Sequence, residues 1–492
     1  MLRKPISFGI AGGGTAGLIS ALMLRKAFPI SEITLVASSD VGIIGVGEGS
    51  TEHWAKFVRY CDLPLLEMIV ESEATHKYGI RFEGWSKKYP DYFHSVSSDE
   101  SIFAWHLFPV YMGLLHKEKL LTDYTGGSKL RENKIRYLNM HHNTNQFHFD
   151  TFALNRYLVR KCVERNIKII DAFIDDVTLN QDTGNIESLV LKDSVPFSAD
   201  FWIDATGFKR VLLSKIDDCE WNSFSKYLLN DSAFAFPTES EDDNQIRPYT
   251  RARALSSGWA WEIPTQSRRG NGYVFSSQFI SVEEATAEIS QVLGREVEPL
   301  RSFDFDPGHL RNPWVKNCCA VGLSGSFVEP LEATSIGSSI QQIEKLIPLV
   351  ASYAPGNTAV QKKYNKSFNI MLDNILMMIR MHYMTDKVDS PYWKEAANAP
   401  IPESLQELLE LLQESTLPRN LITDTNGEMF LVPHFLHVAQ GQNLINTENI
   451  EQTIVNLNLI EDITFTIRQI EHDAMSAQYI DHFEGLNAIE KE

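Results

Sequence analysis

Residues 6–37 read ISFGIAGGGTAGLISALMLRKAFPISEITLVA, and this stretch decides the fold. Ile6 to Ala11 is an apolar, strand-like run, Gly12 to Gly17 a glycine-rich turn, Leu18 to Ala27 a helical pattern and Ile33 to Ala37 a second strand. Strand, turn, helix and strand make a βαβ unit, which implies a parallel sheet. The spacing Gly12-x-Gly14-x-x-Gly17 has a physical reading inside that unit. Gly12 permits the tight turn, Gly14 admits the backbone to a pyrophosphate, and Gly17 lets the helix pack closely on the strand. The N–H groups at the helix start, around Thr15 and Ala16, then face the anion. Ala37 stands where the acidic ribose ligand is expected, so Ser38, Ser39 and Glu48 are the alternatives.

Further along the chain the turns fit FAD better than NAD. Asp204-Ala205-Thr206-Gly207 follows the strand run Phe201–Ile203. Cys318–Val321 is a third apolar strand that ends in Gly322-Leu323-Ser324-Gly325 and leads into a helix, a route that brings backbone N–H groups to a flavin ring. A second fingerprint for a nicotinamide cofactor is missing from the sequence.

Composition narrows the partners. The 492 residues carry a formal charge of −19, against the clustered Lys and Arg that nucleic acid requires. No apolar run approaches the roughly 18–20 residues that span a bilayer. Met1-Leu2-Arg3-Lys4-Pro5 runs directly into a strand pattern, unlike a signal peptide. Five cysteines at 61, 162, 219, 318 and 319, with no CxxC pair, fit a reducing, cytoplasmic setting. His141, His142 and His148 cluster loosely without cysteine partners and read as loop or pocket residues, so no metal site is expected.

Helical signals return at Phe152–Arg165, with strand runs near Ile167–Phe173 and Ile186–Leu191. Residues 245–280 are rich in aromatics, and Gly270-Asn271-Gly272 reads as a hairpin turn. From about residue 335 the pattern is mostly helical; Leu405, Leu408, Leu409 and Leu412 follow helical spacing after Pro402-Glu403-Ser404, as a core-packing stripe.

Gly258-Trp259-Ala260-Trp261-Glu262-Ile263-Pro264 resembles the WxWxIP signature of the flavin-dependent halogenases, the tryptophan halogenase family. Gly45-Val46-Gly47-Glu48-Gly49, Asp204-x-Thr206-Gly207-Phe208, Gly270–Ser277, Phe327-Val328-Glu329-Pro330-Leu331-Glu332-Ala333-Thr334 and Asp389-Ser390-Pro391-Tyr392-Trp393 resemble that family in the same order. The resemblance implies an α/β fold: an FAD-binding Rossmann-like module of the glutathione-reductase/hydroxylase type over 1–345, with an inserted antiparallel sheet. Residues of about 75–150 and 220–300 would contribute to the substrate side, and 346–492 would form a mostly helical cap. It further implies a two-component enzyme and a homo-oligomer. A separate flavin reductase supplies FADH2, O2 forms a flavin C4a-hydroperoxide, and halide (chloride, bromide or iodide) becomes hypohalous acid, which crosses the protein interior to an electron-rich aromatic substrate.

Lys77 matches the family's catalytic lysine. Tyr78, Ile80 and Phe82 alternate with Lys77, Arg81 and Glu83, as on a half-buried strand. Its ammonium either hydrogen-bonds hypohalous acid or reacts with it to a haloamine. Glu332 matches the second catalytic residue, a carboxylate that stabilises the cationic ring intermediate, takes its proton or orients the oxidant; Glu329 is its local competitor. Thr334 and Ser335 would offer N–H groups to halide at a helix start, with Ser335 replacing the Gly of the best-known tryptophan halogenases. Trp259 and Trp261, two apart on a strand, face one side and would wall substrate from flavin. The remaining cofactor contacts expected are Gly47, Glu48, Asp204, Gly207, Gly322 and Gly325. The paired Tyr and Glu that anchor free tryptophan have no counterpart near Phe430–Phe435, which points to an indole- or phenol-like substrate instead. The other enzyme reading is an FAD-dependent aromatic hydroxylase, and a flavin-binding protein without catalysis is a third.

Overall fold

The computed structural model describes residues 4–42, 48–95, 113–117, 120, 127–136, 146–239, 245–354, 356, 358–414 and 429–489. Its first sheet has six strands in the order Trp314–Val315, Cys318–Ala320, Phe201–Asp204, Phe8–Ala11, Ile33–Ala37 and Lys168–Asp171. All neighbours are parallel except the first pair. The inner strands are buried along their whole length because helices cover one face and the three-stranded sheet Ile174–Leu179, Ile186–Leu191 and Phe197–Ser198 covers the other. The helix Thr15–Ala27 packs on Thr334–Val350 and on Thr151–Glu164.

A seven-stranded sheet runs Arg301–Asp304, Ser232–Thr238, Arg269–Phe275, Gly258–Pro264, Thr250–Leu255, Gly79–Glu83 and Asp91–Ser95. It is antiparallel except where Thr250–Leu255 meets Gly79–Glu83. Its inner face shares one apolar core with the helices Ala359–His382, Pro391–Asn398, Glu403–Glu414 and Val432–Gly441. Leu405, Leu408 and Leu412 are buried in that core and Leu409 lies at its edge. Each fully buried leucine is worth about 1.5–3 kcal/mol. Ser390 caps Pro391–Asn398 through the Trp393 N–H at 3.2 Å.

Two expectations are corrected. Gly270-Asn271-Gly272 is not a turn but lies within the strand Arg269–Phe275; the chain reverses at Thr265–Arg268. Gly272 pairs with Trp261, and a Cβ there would come within 2.0 Å of the indole, so this glycine makes room for an aromatic ring. The run from Lys77 to Glu83 is likewise two strands. The Tyr78 N–H donates to Pro248 O at 2.8 Å, Gly79 has φ 142°, and the halves enter different sheets. Thr75–Lys77 joins Gln146–Phe149 and Glu48–Gly49 in a small antiparallel sheet.

The end of the chain returns to this region. Tyr479–Asp481 pairs with Lys134–Arg136, and the His76 N–H, next to Lys77, donates to His482 Nε2 at 3.2 Å. Leu486 and Ile489 enter the core around the first sheet. All five cysteines are unpaired. Among the described residues, no helix is long and apolar enough to cross a membrane.

Candidate active site

Gly12 has φ 109°, and a Cβ on it would stand 2.2 Å from Ala205 O, while one on Gly17 would stand 2.0 Å from Gly12 O. Both glycines are therefore demanded by close backbone approach. Gly14 differs, since a Cβ there would meet nothing within 4 Å. It is also the N-cap of Thr15–Ala27, with no side-chain cap and no acid in the first turn. By contrast Asp150 caps its own helix, through the Ala153 N–H at 2.8 Å. A helix start left open beside free space has donors for an anion, so these residues fit the pyrophosphate of FAD. Ala16 packs against Gly322, where a Cβ would come within 2.6 Å of it.

Ser38 sits half-buried just beyond Ala37, its hydroxyl accepting from Asp40 N–H at 3.3 Å. Asp204 is fully buried and accepts from the N–H groups of Thr206, Leu212 and Leu213 and from Ser324 Oγ. Its carboxylate thus holds two turns together. Gly207, at φ 74°, is open to space, and the Gly325 N–H donates to Gly322 O. Gly45, Val46, Gly47, His141 and His142 lie outside the described residues. Glu48 receives the Thr15 hydroxyl at 3.4 Å, and burial pushes its pKa up to about 7.

Lys77 is 1% exposed, not solvated. Its ammonium donates to Ser50 O at 2.8 Å. Burial pulls its pKa down to about 8, opposed by Glu332 and Glu52. Gly49 is its neighbour: a Cβ there would lie 3.7 Å from Lys77 Nζ and 3.2 Å from the Ala333 Cβ.

Glu332 and Ala333 are consecutive left-handed residues, at φ 69° and 54°. This costly geometry turns the Glu332 side chain inward just before the helix Thr334–Val350 begins. His94 Nδ1 lies 2.6 Å from Glu332 Oε2 and His382 Nε2 lies 2.8 Å from Oε1. Burial opposes the carboxylate's charge. The charge of His94 and the two histidine hydrogen bonds outweigh it and hold the group well below the usual carboxylate range. Glu329 is held apart from these histidines, accepting from Asn230 and from Tyr383 Oη, with its pKa pushed up by burial to about 7.

A cavity of about 140 Å³ is bordered by Glu48 and Gly49, by Trp259 and Trp261, and by Glu332, Ala333 and Ser335. It therefore touches both the nucleotide end and the Glu332 end. The two indoles line one side, with ring centroids 6.1 Å apart. Thr334 is buried and Ser335 exposed at a helix start with neither side-chain cap nor first-turn acid.

His94, His382 and His434 escaped the sequence reading. His94 comes from the strand Asp91–Ser95, His382 ends the helix Ala359–His382, and His434 lies on Val432–Gly441. No local spacing links them to residue 332, although the Phe430–Phe435 segment already stood out by its position.

The tryptophan halogenase family model matches residues 7–455. Tryptophan 6-halogenase SttH of Streptomyces toxytricini is 30% identical over 447 residues, covering 83% of this chain and 84% of that protein. Tryptophan 7-halogenase RebH of Lentzea aerocolonigenes is 30% identical over 491 residues, covering 92% and 89%. Among solved structures, Xcc4156, a flavin-dependent halogenase from Xanthomonas campestris, is similar with a TM-score of 0.83 and 27% identity over 99% of both chains. Open glycine turn, buried lysine and the matched span agree: the chain belongs to the tryptophan halogenase family of flavin-dependent enzymes.

Proposed function

We propose that this chain oxidises halide and halogenates an electron-rich aromatic molecule, indole- or phenol-like and not free tryptophan. The observation that carries the reading is the burial of the Lys77 ammonium behind Gly49, beside a cavity that runs from Glu48 to Glu332. Reduced FAD delivered by a separate flavin reductase supplies, with O2, the two-electron oxidation of halide to hypohalous acid. Gly12, Gly14 and Gly17 with the N–H groups of Thr15 and Ala16 bind its pyrophosphate. The open helix start at Thr334 and Ser335 holds halide.

Hypohalous acid then meets the Lys77 ammonium, whose positive charge makes the halogen more electrophilic. A ring π pair forms the new carbon–halogen bond as the oxygen leaves, becoming water on protonation. The Glu332 carboxylate stabilises the resulting ring cation and takes its proton as the C–H electron pair returns to the ring. Because the proton of such a cation is strongly acidic, a weakly basic carboxylate suffices. Trp259 and Trp261 keep the substrate from the oxidised flavin side, which favours this reading over direct hydroxylation. The two relatives described above act at different ring positions, so regiochemistry does not transfer.

The test supplies FADH2, O2 and bromide to the protein with indole or a phenol. Brominated product is expected, and Lys77→Ala should reduce it at least 100-fold while FAD binding persists. Hydroxylated product formed without halide would instead establish the hydroxylase.

A further inference from the structure

We propose that His94, Glu332 and His382 form a site for one divalent transition ion, with Zn²⁺ or Co²⁺ as ligand, and that the ion switches halogenation off by occupying the Glu332 carboxylate. Binding stands on the geometry alone; the switching rests on the function proposed above. The three ligand atoms lie within 4.8 Å of one another and come from a strand, a left-handed turn and the last residue of a helix. All three side chains are at most 2% exposed. Bonds of about 2.0–2.1 Å to a tetrahedral ion would set ligand atoms roughly 3.4 Å apart. The present separations of 2.6 and 2.8 Å then open by less than about an ångström.

The far nitrogens support the same arrangement. His94 Nε2 is 3.0 Å from His434 Nδ1, and His382 Nδ1 is 3.3 Å from Tyr92 Oη, which accepts from Gln442 at 3.0 Å. Outer partners of this kind fix ring orientation in metal-binding histidines. Glu332 accepts from both rings, so each gives up the proton on its near nitrogen as the ion binds and carries one on the far nitrogen, and the extra proton of a charged His94 passes to solvent. Two imidazoles with one carboxylate suit Zn²⁺, Co²⁺ or Ni²⁺ better than Mg²⁺ or Ca²⁺, and leave a fourth position open. With the ion bound, Glu332 can no longer take the ring proton.

Untagged full-length protein is titrated with Co²⁺ while visible d–d absorption and Tm are followed, and halogenation is assayed with Zn²⁺ and then EDTA. The expected result is one equivalent bound with a low-symmetry d–d band and a raised Tm. Glu332→Gln and His382→Ala should each weaken binding at least tenfold. His472→Ala, which removes a surface imidazole 77% exposed, should leave it unchanged. Zn²⁺ should stop halogenation reversibly while flavin oxidation continues. An absent band, or one insensitive to Glu332→Gln and lost in His472→Ala, overturns the site. Binding without inhibition overturns the switch. A Glu332-dependent band in a protein that halogenates nothing keeps the site and discards the function.

Discussion

The Lys77 ammonium donates to the Ser50 carbonyl at 2.8 Å from a position almost wholly removed from water. A positive charge is thus kept in the interior with one neutral acceptor and two carboxylates at longer range, those of Glu332 and Glu52. That arrangement is unfavourable for stability, and in the function proposed above it is what polarises the oxidant.

Lys77→Met should therefore stabilise the protein at pH 7. The ordinary lysine value is 10.5 and burial lowers it to about 8. Below pH 8 both folded and unfolded states are charged, and the folded state bears the full desolvation penalty. Between pH 8 and 10.5 only the unfolded state stays charged, so the wild type recovers stability as pH rises. The variant's advantage should shrink by on the order of 3 kcal/mol between neutral pH and the top of that window. Thermal melts across the range measure it; a pH-independent gap would mean that the ammonium is solvated.

Gly49→Ala tests the wall between lysine and cavity. The added methyl would stand 3.2 Å from the Ala333 Cβ, tighter than ordinary contact, and close to the Lys77 ammonium. Product formation should fall about tenfold, some 1.4 kcal/mol in the barrier, with FAD affinity retained. Steady-state halogenation beside a flavin-binding titration separates the two.

Gly12→Ala and Gly14→Ala should fail differently. At Gly12 the methyl collides with Ala205 O in a left-handed backbone, so folding stability drops by more than about 2 kcal/mol. At Gly14 the backbone is ordinary, φ −74°, and the space is empty, so Tm should hold while the FAD Kd rises. Equal melting losses in both would remove Gly14 from the nucleotide site.

Glu332→Gln should slow halogenation by about 10²-fold, within the usual range for a lost acid–base group. Hypohalous acid should still form and be trapped by an added thioether. An unchanged product rate would take Glu332 out of the chemistry.

The βαβ unit was legible because strand, glycine spacing and helix follow one another along the chain, and Gly17 answers to Gly12 O within the same turn, even though Gly12 itself answers to Ala205 O on a distant strand end. Gly272 misled because its cause is a ring on the adjoining strand. The burial of Lys77 was hidden for a related reason, since alternation along 77–83 describes one strand and the chain makes two. His94 stands 238 positions from Glu332 and His382 stands 50, so only tertiary packing brings them to one carboxylate. The matched motifs located the lysine and glutamate without showing what surrounds them.

The bond from His76 N–H to His482 and the pairing of Tyr479–Asp481 with Lys134–Arg136 tie the backbone beside Lys77 to a segment that follows it by some 400 positions, His76 and His482 being 406 apart. During translation, a nascent polypeptide that stops short of residue 479 lacks the clamp on the neighbouring backbone. That clamp therefore closes only after residue 482 has been made, and His482→Ala, which cuts the bond and leaves Leu486 and Ile489 in the core, should speed amide exchange in the backbone beside Lys77.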